Sequence, residues 1–268
     1  MTRKFLKQVT VTGADNSINY YKLFDIAEKY PFVEFGILLS KNSEGYPRFP
    51  TWNWIEGLIT EKPKNVHLSG HLCGSWLRDI VAGGSAFMDI HQELSYEFGR
   101  FQLNFHDQPD NQLEPRKFVS SLFKLTAIHK QQIIFQIDHT NMRLYNYATS
   151  QYAKEWGINA VALHDVSGGA GILPDKWPQP MGDYCGYAGG LSPKNVAEQL
   201  EIIGNRITNK DGSIYPIWID AETKLRPPDN STFDIVLVEQ FLRAASPYVL
   251  ADQIEGKTKD IDNHENIL

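Results

Sequence analysis

The stretch His164-Asp-Val-Ser-Gly-Gly-Ala-Gly171, followed by Tyr187-Ala-Gly-Gly-Leu-Ser-Pro-Lys-Asn-Val196, reads as the ends of two consecutive β-strands. The first delivers an acid and a glycine loop. In the second, a short apolar run is broken by Gly189-Gly190, where the backbone can turn tightly, and Ser192-Pro193 supplies an N-cap and a first-turn proline for a helix. Backbone N–H groups at such a turn, together with the helix N-terminus, form a cradle for an anion. An acid beside an anion cradle at strand ends is the arrangement of a barrel enzyme.

Working outward, strand-like runs occur at 7–12, 32–39, 65–69, 100–105, 132–137, 159–165, 183–188 and 215–220. Amphipathic helical runs at 18–29, 52–59, 75–82, 115–129, 142–156, 193–207 and 233–245 alternate with them, and a Pro- and Trp-containing segment, 173–181, replaces the sixth helix. Eight such alternations predict a (β/α)8 TIM barrel rather than an open doubly wound sheet. We expect one barrel over residues 1–250 and a charged C-terminal tail over 251–268. Loops rich in Pro, Gly, Asn and Asp fall at 41–50, 108–114, 209–213 and 226–232, and the first of these could fold over the barrel mouth.

Composition narrows the partners. The 268 residues are 42% hydrophobic, enough for a full core, and carry a net charge of -6 without a Lys/Arg cluster, which argues against nucleic acid. The N-terminal run has no signal-peptide pattern and no window approaches a membrane span, so a cytoplasmic protein, monomer or homodimer, is expected. Cys73 and Cys185 are expected as free thiols; two cysteines alone make no zinc site.

Chemistry in such a barrel belongs at the C-terminal ends of the strands. Those ends carry Thr12, Ser69-Gly-His71-Leu-Cys73, Asn104-Phe-His106-Asp107, Asp138-His139, Asp165, Gly189-Gly190 and Asp220-Ala-Glu222. Strand alternation puts Asp165 on the inward face with Val161 and Leu163 and turns His164 toward the helices. Asp165 is the expected general acid; burial near Asp220 or Asp138 would raise the pKa of one carboxylate. His71, Asp138 and His139 are candidate bases, since an imidazole needs little tuning to accept a proton near neutrality, and Cys73 is a further thiol candidate. Arg48 offers a planar fork for a carboxylate or phosphate. The aromatic run 46–54 could stack on a planar ligand or simply pack.

These strand ends together resemble phosphoribosylanthranilate isomerase, a barrel of the ribulose-phosphate-binding type. Asp165 with Gly168-Gly-Ala-Gly171 and Trp177 is similar to that family's Leu-Asp and Gly-Gly-x-Gly followed by Trp, and 188–196 is similar to its Ala-Gly-Gly-Leu-x-Pro-x-Asn-Val almost residue for residue. Thr10-Val-Thr-Gly13 resembles its Lys-Ile-Cys-Gly, Tyr46-Pro-Arg48 its Ser-Pro-Arg, and Gln102-Leu-Asn-Phe105 its Gln-Leu-His-Gly; Asp220 and Phe233-Asp234 resemble its eighth-strand Asp and later Lys-Asp. The resemblance implies an isomerase of a phosphorylated ribosyl compound that needs no cofactor, with catalysis at Asp165 and at Thr12, which stands where the family has its basic Cys. It implies substrate contacts from Arg48, Asn104, Gly168, Gly169, Gly189, Gly190 and Asp220, and the residues themselves add Lys224 and Arg226 as candidate substrate contacts. A hydroxyl is a far weaker acid than a thiol, so Thr12 departs from the family's base. The eighth-strand loop departs too, carrying Glu222 where the family has a Ser-Ser-Gly phosphate loop; an ionised Glu222 repels phosphate unless Lys224 or Arg226 intervenes.

The residues therefore predict an isomerase or lyase of a phosphorylated sugar or ribosyl compound acting by acid/base catalysis on a small anionic substrate. Two other readings stay open. His71, His106, Asp107, Asp138, His139 and Asp165 could converge on a divalent metal in an epimerase or hydrolase. A barrel without the family's Cys could also bind a phosphorylated ligand without turning it over.

Overall fold

The computed structural model describes residues 2–105, 114–126, 130–137, 141–165 and 167–254. Eight strands, β1 (Leu6–Thr12), β2 (Val33–Leu39), β3 (His67–Leu72), β4 (Arg100–Leu103), β5 (Gln132–Ile137), β6 (Asn159–His164), β7 (Cys185–Ala188) and β8 (Ile217–Ala221), pair in chain order into one closed barrel. Every pairing is parallel, and Thr10↔Asp220 lies in the closing register of β1 on β8. The chain is a (β/α)8 barrel, as its alternation of elements predicts.

Around it run α1 (Tyr21–Lys29), α2 (Trp52–Glu61), α3 (Ser75–Val81), α4 (Ala86–Ser95), α5 (Pro115–Thr126), α6 (Met142–Ala148), α7 (Gln151–Glu155), α8 (Val196–Arg206) and α9 (Ile235–Ala245). Among the described residues no helix separates β6 from β7, as expected. The helix expected over 142–156 is two, because the Ser150 side chain caps a new start by accepting from the Ala153 N–H. Helix α4 was not foreseen. A last helical turn, α10 (Ala251–Ile254), follows the barrel, and the rest of the expected tail lies outside the described residues. No helix among the described residues is long and apolar enough to cross a membrane.

Side-chain alternation divides the strands into two faces. Outward residues such as Val9, Phe35, Leu72, Phe101, Phe135 and Tyr187 are buried against the helices and form the larger core. Inside the barrel, Ile134, Val161, Leu163, Ala188 and Trp218 form a smaller apolar plug. Toward the N-terminal end lies a buried ion pair: the Arg100 guanidinium grips the Glu34 carboxylate through Nε at 2.8 Å and through Nη2, and Thr10 donates to Glu34 at 2.9 Å. The Trp218 ring lies 4.8 Å from the guanidinium carbon. Two glycines make room for these interior groups. A Cβ at Gly186 would sit 2.2 Å from the Trp218 ring, and one at Gly36 would sit 2.2 Å from Thr12 Oγ1 and 2.8 Å from the His71 ring. Above the plug, the inward positions turn polar.

Candidate active site

A cavity of about 460 Å³ opens at the C-terminal ends of the strands. His71, Asn104, Asp165, Asp220, Arg48 and Lys224 line it, and so do Gly168, Gly169, Gly189 and Gly190. Arg48 and Lys224, the most distant of these in sequence, are 176 positions apart; the closed barrel brings them to one mouth.

Asp165 follows β6 directly and is buried, facing inward as the alternation required. Its carboxylate accepts three hydrogen bonds: from Gln136 Nε2 at 2.7 Å, from Ser167 Oγ at 2.8 Å and from the Gly169 backbone N–H at 2.8 Å. The glycine loop is thus wrapped on the acid that precedes it. Gly189 completes the enclosure: a Cβ there would lie 2.9 Å from the Ile172 carbonyl oxygen and 3.4 Å from Asp165 Oδ1, and its φ of 110° suits glycine. The two strand ends therefore meet at Asp165. His164 points the other way, against Tyr187, and burial takes its imidazole down to about 4.

The turn after β7 differs from its expected form. Pro193 does not open the helix; residues 193–195 form a separate turn, and α8 begins at Val196. Asn195 ties that turn back, accepting from the Ser192 N–H at 2.8 Å and donating to the Gly190 carbonyl at 3.0 Å.

Asp220, at the end of β8, is enclosed and accepts a hydrogen bond from Thr12 Oγ1 at 2.7 Å. Burial pushes its pKa up to about 8; the Thr12 hydrogen bond opposes the rise, and the negative charges of Glu222, Glu34 and Asp165 add to it. Thr12 itself does not line the cavity but stands behind Asp220.

His71 is not in a loop after β3, as expected, but within the strand, which runs three residues past its anticipated end. It is buried, its Nε2 lies 3.1 Å from Ser69 Oγ, and burial takes its pKa down to about 3, with Arg100 adding to the fall and Glu34 opposing it. An imidazole so disinclined to bind a proton is a poor general base. Cys73 lines the same wall, but burial and the charge of Glu222 push its thiol up to about 12, so it is no ready thiolate. Both cysteines are free. Asn104 donates to Cys73 Sγ at 3.4 Å and accepts from Gln102 Nε2 at 2.8 Å.

The cationic groups are placed unlike their expected pattern. Arg226 does not line the cavity: it is buried, donating to the Gly13 carbonyl at 2.6 Å and to Asp15 at 2.8 Å, and so ties the β8 loop to the β1 loop. Arg48 does reach the mouth, yet its guanidinium is held 2.9 Å from Glu222 and 3.1 Å from Asn230 Oδ1. Its backbone N–H is bound to Asp15 at 2.6 Å, and its φ of 77° is strained for a non-glycine residue. Glu222, whose pKa burial raises while Arg48 and Arg226 oppose the rise, therefore meets its countercharge from the β2 loop and not from Lys224.

Asp138 and His139, with His106 and Asp107, lie outside the described residues. Among the described residues no three His, Cys, Asp or Glu side chains are grouped to hold a metal ion. Sequence reading missed Gln136 and Gln102, whose only signal was a polar residue inside an apolar strand, and Arg78 on α3, a rim residue with no local signal.

No protein-family model and no curated protein sequence matches the chain. Solved structures do. Phosphoribosyl anthranilate isomerase from Thermotoga maritima superposes with a TM-score of 0.51 at 17% identity, over 92% of this chain and 99% of that one, and the structure of the isomerase in complex with reduced 1-(o-carboxyphenylamino)-1-deoxyribulose 5-phosphate gives the same values. The Thermus thermophilus enzyme superposes with a TM-score of 0.53 at 11% identity, over 89% of this chain and 98% of that one. At such identities the likeness is one of fold, and in fold this chain is a divergent barrel similar to phosphoribosylanthranilate isomerase.

Proposed function

We propose that this barrel is an isomerase, or a lyase, of a phosphorylated sugar or ribosyl compound, and that it works by proton transfer between two carboxyl groups. The observation that carries the reading is that two buried carboxyl groups with different hydrogen-bond surroundings, Asp165 and Asp220, line one cavity. Asp220, raised to about 8, holds its proton at neutral pH and is the group able to give one. The Asp165 carboxylate accepts from three donors and lines the same cavity. This exchanges the role expected for Asp165: Asp220 is the acid, and Asp165 the proton acceptor. His71, too weakly basic at a pKa of about 3, is withdrawn as the base, and Thr12 is a positioning residue for Asp220.

The anionic end of the substrate would lie at the rim formed by Gly168, Gly169, Gly189 and Gly190, with Lys224 beside it. Arg48 joins this subsite only on leaving Glu222, and Arg226 remains a buried strut. The expected cytoplasmic setting suits a substrate of this kind.

The experiment is turnover by the purified protein of a panel of aldose, ketose and ribosylamine phosphates, followed by exchange of the substrate's carbon-bound protons in D2O. Asp165→Asn and Asp220→Asn should each abolish exchange while leaving calorimetric binding within a few-fold. Tight binding of a panel member by the wild-type chain, with no exchange and no turnover, removes the catalytic reading and leaves a ligand-binding barrel.

A further inference from the structure

Two inward side chains of the cavity wall are left over by this account, and they are neighbours. His71 and Gln102 pair in register across β3 and β4, and both line the cavity. Each has one committed atom and one spare. Gln102 gives its Nε2 to Asn104, while its Oε1 is buried and has no hydrogen-bond partner. A buried carbonyl oxygen without a donor costs stability, so a ligand that supplies one recovers that cost. His71 has Nε2 against Ser69 Oγ; Nδ1 has no partner among the described residues and is not sealed from the cavity.

The groups around the His71 ring fix its character. Thr12 of β1 meets it over Gly36, Ser69 bonds it from β3, and the Glu34 and Arg100 charges, from β2 and β4, neutralise one another beneath it. We assign Ser69 Oγ–H as the donor to Nε2, so that the neutral ring carries its proton on Nδ1 and presents a donor to the cavity. Side by side, the wall offers one N–H donor and one vacant acceptor.

We propose that His71 and Gln102 form a recognition and catalytic subsite for an α-hydroxy carbonyl unit, His71 Nδ1–H donating to the carbonyl oxygen and Gln102 Oε1 accepting from the adjacent hydroxyl. This rests on the acid–base reading above and narrows its substrate to an open-chain hydroxy-aldehyde or hydroxy-ketone phosphate. The carboxylate of Asp165 takes the proton from the hydroxyl-bearing carbon; that C–H pair becomes the C=C bond, and the carbonyl π pair moves to oxygen, which takes the Asp220 proton. His71 stays neutral and holds that oxygen as charge builds on it. Return of the Asp165 proton to the former carbonyl carbon, with the second hydroxyl's proton passing to Asp220, completes the isomerisation and restores both carboxyl groups.

The probes are D-ribulose 5-phosphate, whose phosphate prevents furanose closure and leaves the carbonyl free, and its 1,3-dideoxy analogue, which lacks both hydroxyls adjacent to that carbonyl. By calorimetry the wild-type chain should prefer the hydroxylated compound by about tenfold, and Gln102→Leu should erase that preference. Equal binding of both compounds by the wild-type chain overturns the subsite but leaves the sugar-phosphate reading intact. Failure of both compounds to bind overturns both. Independently of any ligand, 15N NMR of the wild-type protein should show His71 as one neutral tautomer with the proton on Nδ1 from pH 5 to 8; titration within that range, or a proton on Nε2, overturns the assignment.

Discussion

Thr12 Oγ1 sits 2.7 Å from Asp220 Oδ1, from the first strand to the last, across the seam where the barrel closes. The hydroxyl donates to the carboxyl group and so favours its ionised form; it is the largest influence opposing the rise that burial imposes on Asp220. Thr12→Val removes the donor at nearly constant volume. The midpoint of Asp220, read from side-chain carboxyl 13C shifts, should move upward from about 8 by about one pH unit, whereas Thr12→Ser should leave it in place. A midpoint unmoved by the valine variant would show that the hydroxyl does not hold Asp220.

The same carboxyl group makes stability depend on pH. In the unfolded chain an aspartate loses its proton near 4, whereas folded Asp220 keeps it to about 8, so between these values the native state binds more protons. Stability must therefore fall as pH rises through that window, by at most about 1.4 kcal/mol per pH unit for this group. Asp220→Asn has no such term. Urea unfolding of both proteins should show the variant gaining on wild type from pH 5 to pH 8. His71 acts oppositely on the acid side: its folded pKa of about 3 lies below the unfolded value of 6.5, so stability is lost as pH falls between them, and His71→Gln should lose less. Parallel curves for wild type and variants would contradict both assignments.

Much of the barrel was legible because its causes are local. Alternating apolar positions, glycine turns and polar strand ends recur eight times, and the inward direction of Asp165 follows from the two-residue period of β6 alone. Element ends were less legible. Strand β3 continues past Ser69 because its backbone pairs as far as Leu39↔Leu72 with β2, which the apolar pattern of β3 does not disclose. The roles of the charged residues were least legible. Arg226 and Asp15 are 211 positions apart and Arg48 and Glu222 are 174 apart, so which arginine is a strut and which reaches the mouth depends on loops that only closure of the barrel brings together. The resemblance grouped Asp165, Asp220 and the glycine turns, and all of them line one cavity, but it could not say which carboxyl group serves as the acid, because the neighbours of each come from distant strands.

Gly36 tests how closely the floor of the cavity is built. Its φ is unexceptional, so the demand for glycine is one of space: a Cβ would stand 2.2 Å from Thr12 Oγ1 and 2.8 Å from His71 Nε2. Gly36→Ala must push apart the two side chains that position Asp220 and form the cavity wall. We expect a loss of about 1–3 kcal/mol in urea unfolding, together with a displaced His71 ring signal in NMR. The matched control is Gly157→Ala, where a Cβ meets nothing within 4 Å but φ is 77°; it should lose stability through backbone strain alone and leave the His71 signal unchanged. Identical His71 spectra for the two variants would refute the packing role of Gly36.

The ion pair beneath the cavity makes a separate demand. Glu34 is buried, and although burial by itself raises its pKa, the charge and hydrogen bonds of Arg100, with Thr10, hold the carboxyl group below its ordinary value. Removing either partner leaves the other charge buried in the barrel without its ion-pair partner. Arg100→Met alone should cost about 3–5 kcal/mol, and Glu34→Gln alone a similar amount. Replacing both together removes the stranded charge, so the double variant Glu34→Leu with Arg100→Met should be more stable than either single one. Its cavity, however, loses the paired charges below His71, and its His71 midpoint should shift relative to wild type. Additive losses in the double variant, measured by urea unfolding, would mean that the two residues act independently and that the pair does not organise the barrel interior.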